Sequence, residues 1–70
     1  MTRVPVRSSM MVSVGHDNET KRLEIEFPKG KVYEYEGVPR AIFDGLLRAT
    51  SKGKFFAAWI DGRYRHVELD

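Results

Sequence analysis

The segment spanning residues 22–36 constrains the fold of this chain more than any other. Apolar and charged side chains alternate over residues 22–27 (RLEIEF), and a second alternating run follows at residues 31–36 (KVYEYE). A period of two is typical of strands that bury one face. Between the runs, Pro28-Lys29-Gly30 has the composition of a hairpin loop, in which Gly30 is free to adopt a positive φ. We therefore expect an antiparallel hairpin.

The length of the loop fixes the register of this hairpin. A three-residue loop sets these residues opposite one another: Phe27 and Lys31, Ile25 and Tyr33, Leu23 and Tyr35. The apolar side chains then share one face, whereas a two-residue loop would set Glu26 opposite Tyr33. We expect the three-residue loop for this reason.

The same register has an electrostatic cost on the outer face of the hairpin. It places Glu24 opposite Glu34, and like charges in such a pair repel. A basic side chain is therefore expected nearby, and Arg63 and Arg65 are candidates because both lie on one face of the last predicted strand.

The remaining elements follow from periodicity and turn signals. Residues 6–14 alternate as a half-buried strand would, and Gly15-His16-Asp17-Asn18 is typical of a turn. After Pro39, apolar residues recur at helical spacing until about Thr50. Ser51 is the predicted cap of a second, shorter helix that ends before Asp61-Gly62, and residues 63–69 alternate as a final strand. The predicted fold is α+β, an antiparallel sheet with two short helices packed on one face, in the order β-β-β-α-α-β.

Length and composition indicate a single domain. Seventy residues suffice for one small core, with residues 1–5 as a flexible N-terminal lead-in and residues 6–70 as the domain. A core of this size needs most of its aromatic residues, so Phe55, Phe56 and Trp59 are expected to pack inside. The chain has no cysteine, and it has no apolar run long enough for a signal peptide or a membrane span. We therefore expect a cytoplasmic protein without a membrane partner.

The sequence predicts no enzymatic activity, no metal and no cofactor. Cysteine nucleophiles are absent, and the two histidines, His16 and His66, lack the spacing of a metal-binding helix. The serines lack the glycine context of a nucleophile elbow, and Gly53 stands alone rather than in a phosphate-binding loop. A small enzyme or ligand-binding protein stays the third hypothesis, after two kinds of binding module.

Charge is distributed unevenly along a chain whose net charge is only +2. Acidic residues dominate the hairpin, whereas basic residues dominate residues 40–66. The candidate nucleic-acid-binding cations are Arg48, Lys52, Lys54, Arg63 and Arg65. Together they are predicted to form a basic edge that contacts phosphates. Tyr33 and Tyr35 are candidate stacking surfaces for unpaired bases.

Several segments together resemble the KTSC domain family, which is named for its occurrence at the C-terminus of some lysyl-tRNA synthetases. The matching residues are Gly15-His16-Asp17, Leu23-x-Ile25-x-Phe27, Tyr33-Glu34-Tyr35, Val38-Pro39, Ala49-Thr50-Ser51-x-Gly53-Lys54-Phe55-Phe56, Ile60 and Tyr64. Stand-alone bacterial and phage members have about this length. The resemblance implies no catalytic residues, and its association with a tRNA synthetase suggests RNA. His16 replaces a typical tyrosine of the family, and Ala57 replaces an expected asparagine.

Two hypotheses about function follow. The first is a non-enzymatic module that binds RNA, for example tRNA, or another nucleic acid through the basic edge. The alternative is a protein–protein interaction module that docks through a sheet edge or through exposed tyrosines. The sequence does not define an oligomeric state.

Overall fold

The computed structural model describes residues 1–69, and Asp70, the end of the predicted domain, lies outside the described residues. The strands of the chain are β1 (Val4–Pro5), β2 (Ser13–Asp17), β3 (Arg22–Phe27), β4 (Lys31–Tyr35) and β5 (His66–Leu69). Two helices, α1 (Arg40–Arg48) and α2 (Lys52–Trp59), connect β4 to β5. The strands form one antiparallel sheet in the order β1-β2-β3-β4-β5. The predicted α+β class and element order are confirmed, and the short β1 is an addition at the start.

The hairpin of β3 and β4 has the predicted register. Leu23 pairs with Tyr35 and Ile25 with Tyr33, and Glu24 lies opposite Glu34. The loop Pro28–Gly30 forms a single 3-10 turn, in which Gly30 has the expected positive φ of 78°. Alternation over two strands was enough to define this register because a shift by one residue would turn every apolar side chain outward.

The first long strand, β2, covers residues 13–17, so the prediction of a strand over residues 6–14 is wrong. Ser8 accepts hydrogen bonds from the backbone N–H of Met10 and Met11, at 3.0 and 3.4 Å, and this contact folds the segment into a turn. The strand β2 instead includes Gly15, His16 and Asp17, which were predicted to lie in a turn. The chain reverses after β2, where Lys21 has a φ of 58°.

Gly15 is required by a close approach of the N-terminal segment. A Cβ at this position would lie 2.7 Å from the carbonyl oxygen of Thr2 and 3.2 Å from the Cα of Arg3. Part of the predicted lead-in is in fact paired in the sheet, because Val4 and Pro5 form β1 against β2.

The two helices begin and end close to the predicted positions. Pro39 lies at the residue before α1, and the N–H of Ala49 bonds to carbonyls of the last turn and ends the helix. The side chain of Ser51 caps α2 by accepting from the N–H of Lys54 at 3.3 Å, as predicted. Both helices thus start and stop at residues suited to those positions.

The core lies between the helices and the inner face of the sheet. Its buried residues are Met11, Val14, Leu23, Ile25, Tyr35, Val38, Phe43, Leu46, Phe56 and Ile60. Phe55 packs against this cluster from its margin, but Trp59 is 52% exposed, so its expected place in the core is wrong. The pair Phe56 and Ile60 turns one face of α2 inward, and Trp59 lies beside that face.

Candidate nucleic-acid interface

The junction between α1 and α2 brings three of the predicted cations into one region. Arg48 ends α1, Lys52 begins α2 and Lys54 lies in the first turn of α2. Arg48 and Lys54 are exposed, whereas Lys52 is half-buried. The ammonium group of Lys52 donates to the carbonyl oxygens of Leu47 at 3.1 Å and Ala49 at 3.0 Å. Lys52 therefore also stabilises the C-terminal end of α1, where a cation interacts favourably with the helix dipole.

A cleft of about 210 Å³ opens beside this junction. Its lining residues are Arg7, Ser8, Ser9, Met10, Thr50, Ser51, Lys52 and Gly53. None of these described residues carries a carboxylate, and the polar groups are cations and hydroxyls. Such a lining is suited to an anion such as a phosphate. The contribution of Arg7, Ser8 and Ser9 was not predicted from the sequence, because only the turn before β2 brings these residues to the helices.

The other two predicted cations follow the opposite end of α2. The axis of an eight-residue helix is about 12 Å long, so Arg63 and Arg65 form a second group. The guanidinium of Arg63 donates from Nε to the carbonyl oxygen of Ala58 at 2.8 Å. Its central carbon also lies 5.7 Å from the centre of the Trp59 ring. The predicted basic edge thus consists of two groups, joined by the exposed side of α2.

The cations of the chain differ in whether a carboxylate neutralises them. Ion pairs join Arg3 to Glu24 at 2.7 Å and Arg22 to Glu34 at 3.4 Å. The expectation that Arg63 or Arg65 would serve those glutamates is therefore wrong. One reason is that β5 begins at His66, so Arg63 and Arg65 precede the strand that was predicted over residues 63–69. The other is that Thr2 and Arg3 pass over the outer face at Gly15, which brings Arg3 to Glu24.

The basic surface is defined here as Arg48, Lys52, Lys54, Arg63 and Arg65. Within residues 1–69, none of these five forms an ion pair with a carboxylate. Arg7, Lys21 and Lys29 also lack an ion pair within residues 1–69, so the basic surface is set apart by the position of its cations at the two ends of α2.

The two predicted stacking tyrosines differ in accessibility. Tyr35 is only 4% exposed and packs edge-on against Phe56 at a centroid distance of 5.8 Å. Burial, followed by the negative charge of Asp61, raises the pKa of Tyr35 to about 12. Tyr33 is half-buried, and its ring lies 5.5 Å from that of His66. Tyr35 therefore cannot offer a ring face to a base, while Tyr33 keeps a partial one.

The two departures from the family pattern occupy different environments. His16 stacks on Phe43 at 5.4 Å, and its Nε2 lies 2.7 Å from the carbonyl oxygen of Val38. Because a carbonyl only accepts, the proton is assigned to Nε2, and the buried Nδ1 has no hydrogen-bond partner among residues 1–69. His16 is a packing residue in this fold. Ala57 is exposed on α2, between the two groups of cations.

Two further features of the described residues bear on function. No cluster of three or more histidine or acidic side chains within residues 1–69 is suited to a metal ion. Over the same residues, neither helix has the length and hydropathy needed to cross a bilayer. The absence of enzymatic activity stays a prediction.

The fold and the site define a small α+β domain in which a helix pair, inserted before the last strand, carries uncompensated cations. The model of the KTSC domain family matches residues 7–64, and the chain belongs to this family. The recognition made from the sequence is thereby confirmed.

The chain is similar both to small proteins over their whole length and to a short segment of a larger protein. An uncharacterized protein of Stutzerimonas stutzeri is 39% identical over 71 residues, which covers the whole of both chains. The crystal structure of a KTSC domain protein from Yersinia pestis is 37% identical with a TM-score of 0.93, covering 99% of this chain and 97% of that one. A lysine–tRNA ligase of Nostoc punctiforme is 36% identical over 61 residues, covering 87% of this chain and 11% of the ligase. The domain therefore occurs both alone and as a small part of a larger protein.

Proposed function

We propose that this domain binds nucleic acid, and RNA in particular, through the basic surface. The observation that carries the proposal is that its five cations have no carboxylate partner within residues 1–69, although the chain contains ten acidic residues. Uncompensated lysines and arginines contact phosphates and release counterions, which supplies most of the affinity of non-specific binding.

The cleft beside the helix junction supports the same function. Its hydroxyl groups and the cations Arg7 and Lys52 are suited to a phosphate of the RNA backbone. The similarity to a segment of a lysine–tRNA ligase supports RNA over DNA, because that enzyme acts on tRNA.

A titration of fluorescently labelled RNA tests the proposal. The double substitution Arg48→Ala and Lys54→Ala removes two exposed charges that hold no other part of the fold. We expect micromolar affinity for single-stranded RNA or tRNA at low salt, and a loss of about tenfold or more in the double variant. The matched control is the double variant Lys31→Ala and Arg40→Ala, which removes the same charge from two surface ion pairs.

The control variant should bind nearly as well as the parent protein, because its cations lie outside the basic surface. Equal losses of RNA affinity in the two double variants would show that the loss depends on net charge alone and not on the basic surface. No binding of any RNA at low salt would overturn the proposal.

A second candidate function, docking on another protein chain, is favoured by one feature of the sheet. β5 is an edge strand, and its central residue Val67 is 46% exposed on the outer face. Edge strands accept a further strand through their backbone hydrogen bonds. A second copy fits this edge, because antiparallel pairing centred on Val67 sets His66 of one chain opposite Glu68 of the other.

Sedimentation velocity distinguishes this candidate from the first. Self-association that is abolished by Glu68→Pro would support pairing through β5, since the N–H of Glu68 points away from β4 and proline cannot donate to the added ladder. A monomer at all concentrations would exclude it and leave the RNA-binding proposal unchanged.

A further inference from the structure

Trp59 is a large apolar residue on the surface, and neither the packing of the core nor the basic surface accounts for its exposure. It is 52% exposed at the end of α2, although tryptophan is usually well buried in a domain of this size. Leu47 and Val67, two other exposed apolar residues, have no aromatic ring.

The contacts of Trp59 hold its indole ring in place. Phe55, one turn earlier, lies 6.4 Å away between ring centres, with a tilt of 35°. The guanidinium carbon of Arg63 lies over the ring, 5.7 Å from its centre, and the bond to Ala58 anchors it there. A base would therefore stack on the guanidinium plane or on the ring face that Arg63 does not cover. A ring fixed in this way loses little conformational freedom when a ligand binds.

Charge decides which ligand suits this ring. Arg63 and Arg65 follow Trp59, and Lys52 lies seven residues before it, on the same side of α2 by helical periodicity. The acidic residue within residues 52–65 is Asp61, which is exposed, and four cations of the same segment outnumber it: Lys52, Lys54, Arg63 and Arg65. An exposed aromatic ring between cations is typical of surfaces that bind single-stranded nucleic acid, where bases stack and phosphates meet the cations.

We infer that Trp59 and Arg63 form a stacking platform for an unpaired nucleobase, so that the ligand of the basic surface is single-stranded RNA rather than a duplex. This inference rests on the proposed function and adds to it the class of nucleic acid. In a duplex the bases are stacked on one another and do not present a free face to Trp59.

The test uses the intrinsic fluorescence of the protein, because Trp59 is its single tryptophan. Titration with a single-stranded oligouridylate, which has no stable secondary structure, should quench this fluorescence, and a duplex RNA of equal length should not. Anisotropy of a labelled copy of each RNA, measured in parallel, reports binding independently of the tryptophan.

Substitutions separate stacking from hydrophobic contact. Trp59→Leu should weaken binding of the single strand by about tenfold, the effect expected for the loss of one stacked base, and Trp59→Phe should weaken it less. The control Leu47→Ala, at another exposed apolar position, should leave the affinity unchanged. Because Trp59 lies outside the core, its variants should keep the melting temperature of the parent protein.

The outcomes are distinguishable. Binding by anisotropy without quenching, or with full affinity in Trp59→Leu, would overturn the stacking platform and leave the proposed function standing. Equal affinity for duplex and single strand would also overturn it. Absence of binding to either RNA would overturn the proposed function, and this inference with it.

Discussion

Among the single residues, Gly15 has the strictest steric requirement. The space that a side chain would need is filled by the backbone of the N-terminal segment, with the carbonyl oxygen of Thr2 at 2.7 Å. Gly15→Ala should therefore lower the free energy of unfolding by about 1–3 kcal/mol, the usual cost of overpacking, in a urea titration.

Removal of the crowding segment provides the control for this substitution. In a chain that begins at Val4, the same change should cost much less, because the atoms of Thr2 and Arg3 are gone. An equal cost in the long and the short chain would show that the close approach is not the reason for the glycine.

The raised pKa of Tyr35 predicts that the protein loses stability at alkaline pH. Its hydroxyl has a pKa of about 12 in the folded protein, against about 10 in an unfolded chain. Between these values the unfolded chain releases the proton first, so the stability should be intact below pH 10 and fall as the pH rises towards 12. In Tyr35→Phe, which keeps the ring but has no hydroxyl to titrate, the stability should decrease less over this pH range.

Denaturation curves between pH 9 and pH 11 check this expectation. Tyr33→Phe is the matched control, since it removes a hydroxyl from the neighbouring position on the same strand. Identical alkaline slopes for the parent protein and Tyr35→Phe would contradict the assignment.

Among the elements, α2 depends on its cap. Ser51 is the residue whose side chain accepts the N–H of Lys54 at the start of this eight-residue helix. Ser51→Ala should lower the free energy of unfolding by about 1 kcal/mol, and Ser51→Asp should restore most of it. Thermal denaturation measures both, with Ser9→Ala as a control at an exposed serine. Unchanged stability in Ser51→Ala would contradict the role of the cap.

The same elements show which parts of the fold were predictable. The register of β3 and β4 followed from local alternation, and the bounds of α1 and α2 followed from Pro39 and Ser51. The position of β2 did not follow, because its start depends on the turn made by Ser8.

The candidate site was predictable to a smaller extent. The cations Lys52 and Lys54 were found from the sequence because charge is visible residue by residue. The exposure of Trp59 and the arrival of Arg3 at Glu24 depend on contacts between distant segments. One signal for Trp59 was present: a helix as short as α2, with the sequence KGKFFAAW, cannot bury all of its apolar sides.

In the molecule as a whole, the sheet separates two electrostatic regions. The outer face contains glutamates whose charges Arg3 and Arg22 compensate. The helix pair and the segment that follows α2 carry the basic surface, whose five cations form no ion pair with a carboxylate within residues 1–69. With a net charge of only +2, the chain places the five cations of the basic surface in two groups at the ends of α2, and the proposed binding of RNA through them should weaken as salt increases.

An NMR titration of the ¹⁵N-labelled protein with single-stranded RNA shows where the ligand contacts this small domain. The proposed function predicts chemical-shift changes at the helix junction around Lys52 and at Arg65, with little change on the outer sheet face around Glu24. The stacking platform adds a change at the indole N–H of Trp59. Changes confined to the outer face or to β5, or no changes at low salt, would contradict it.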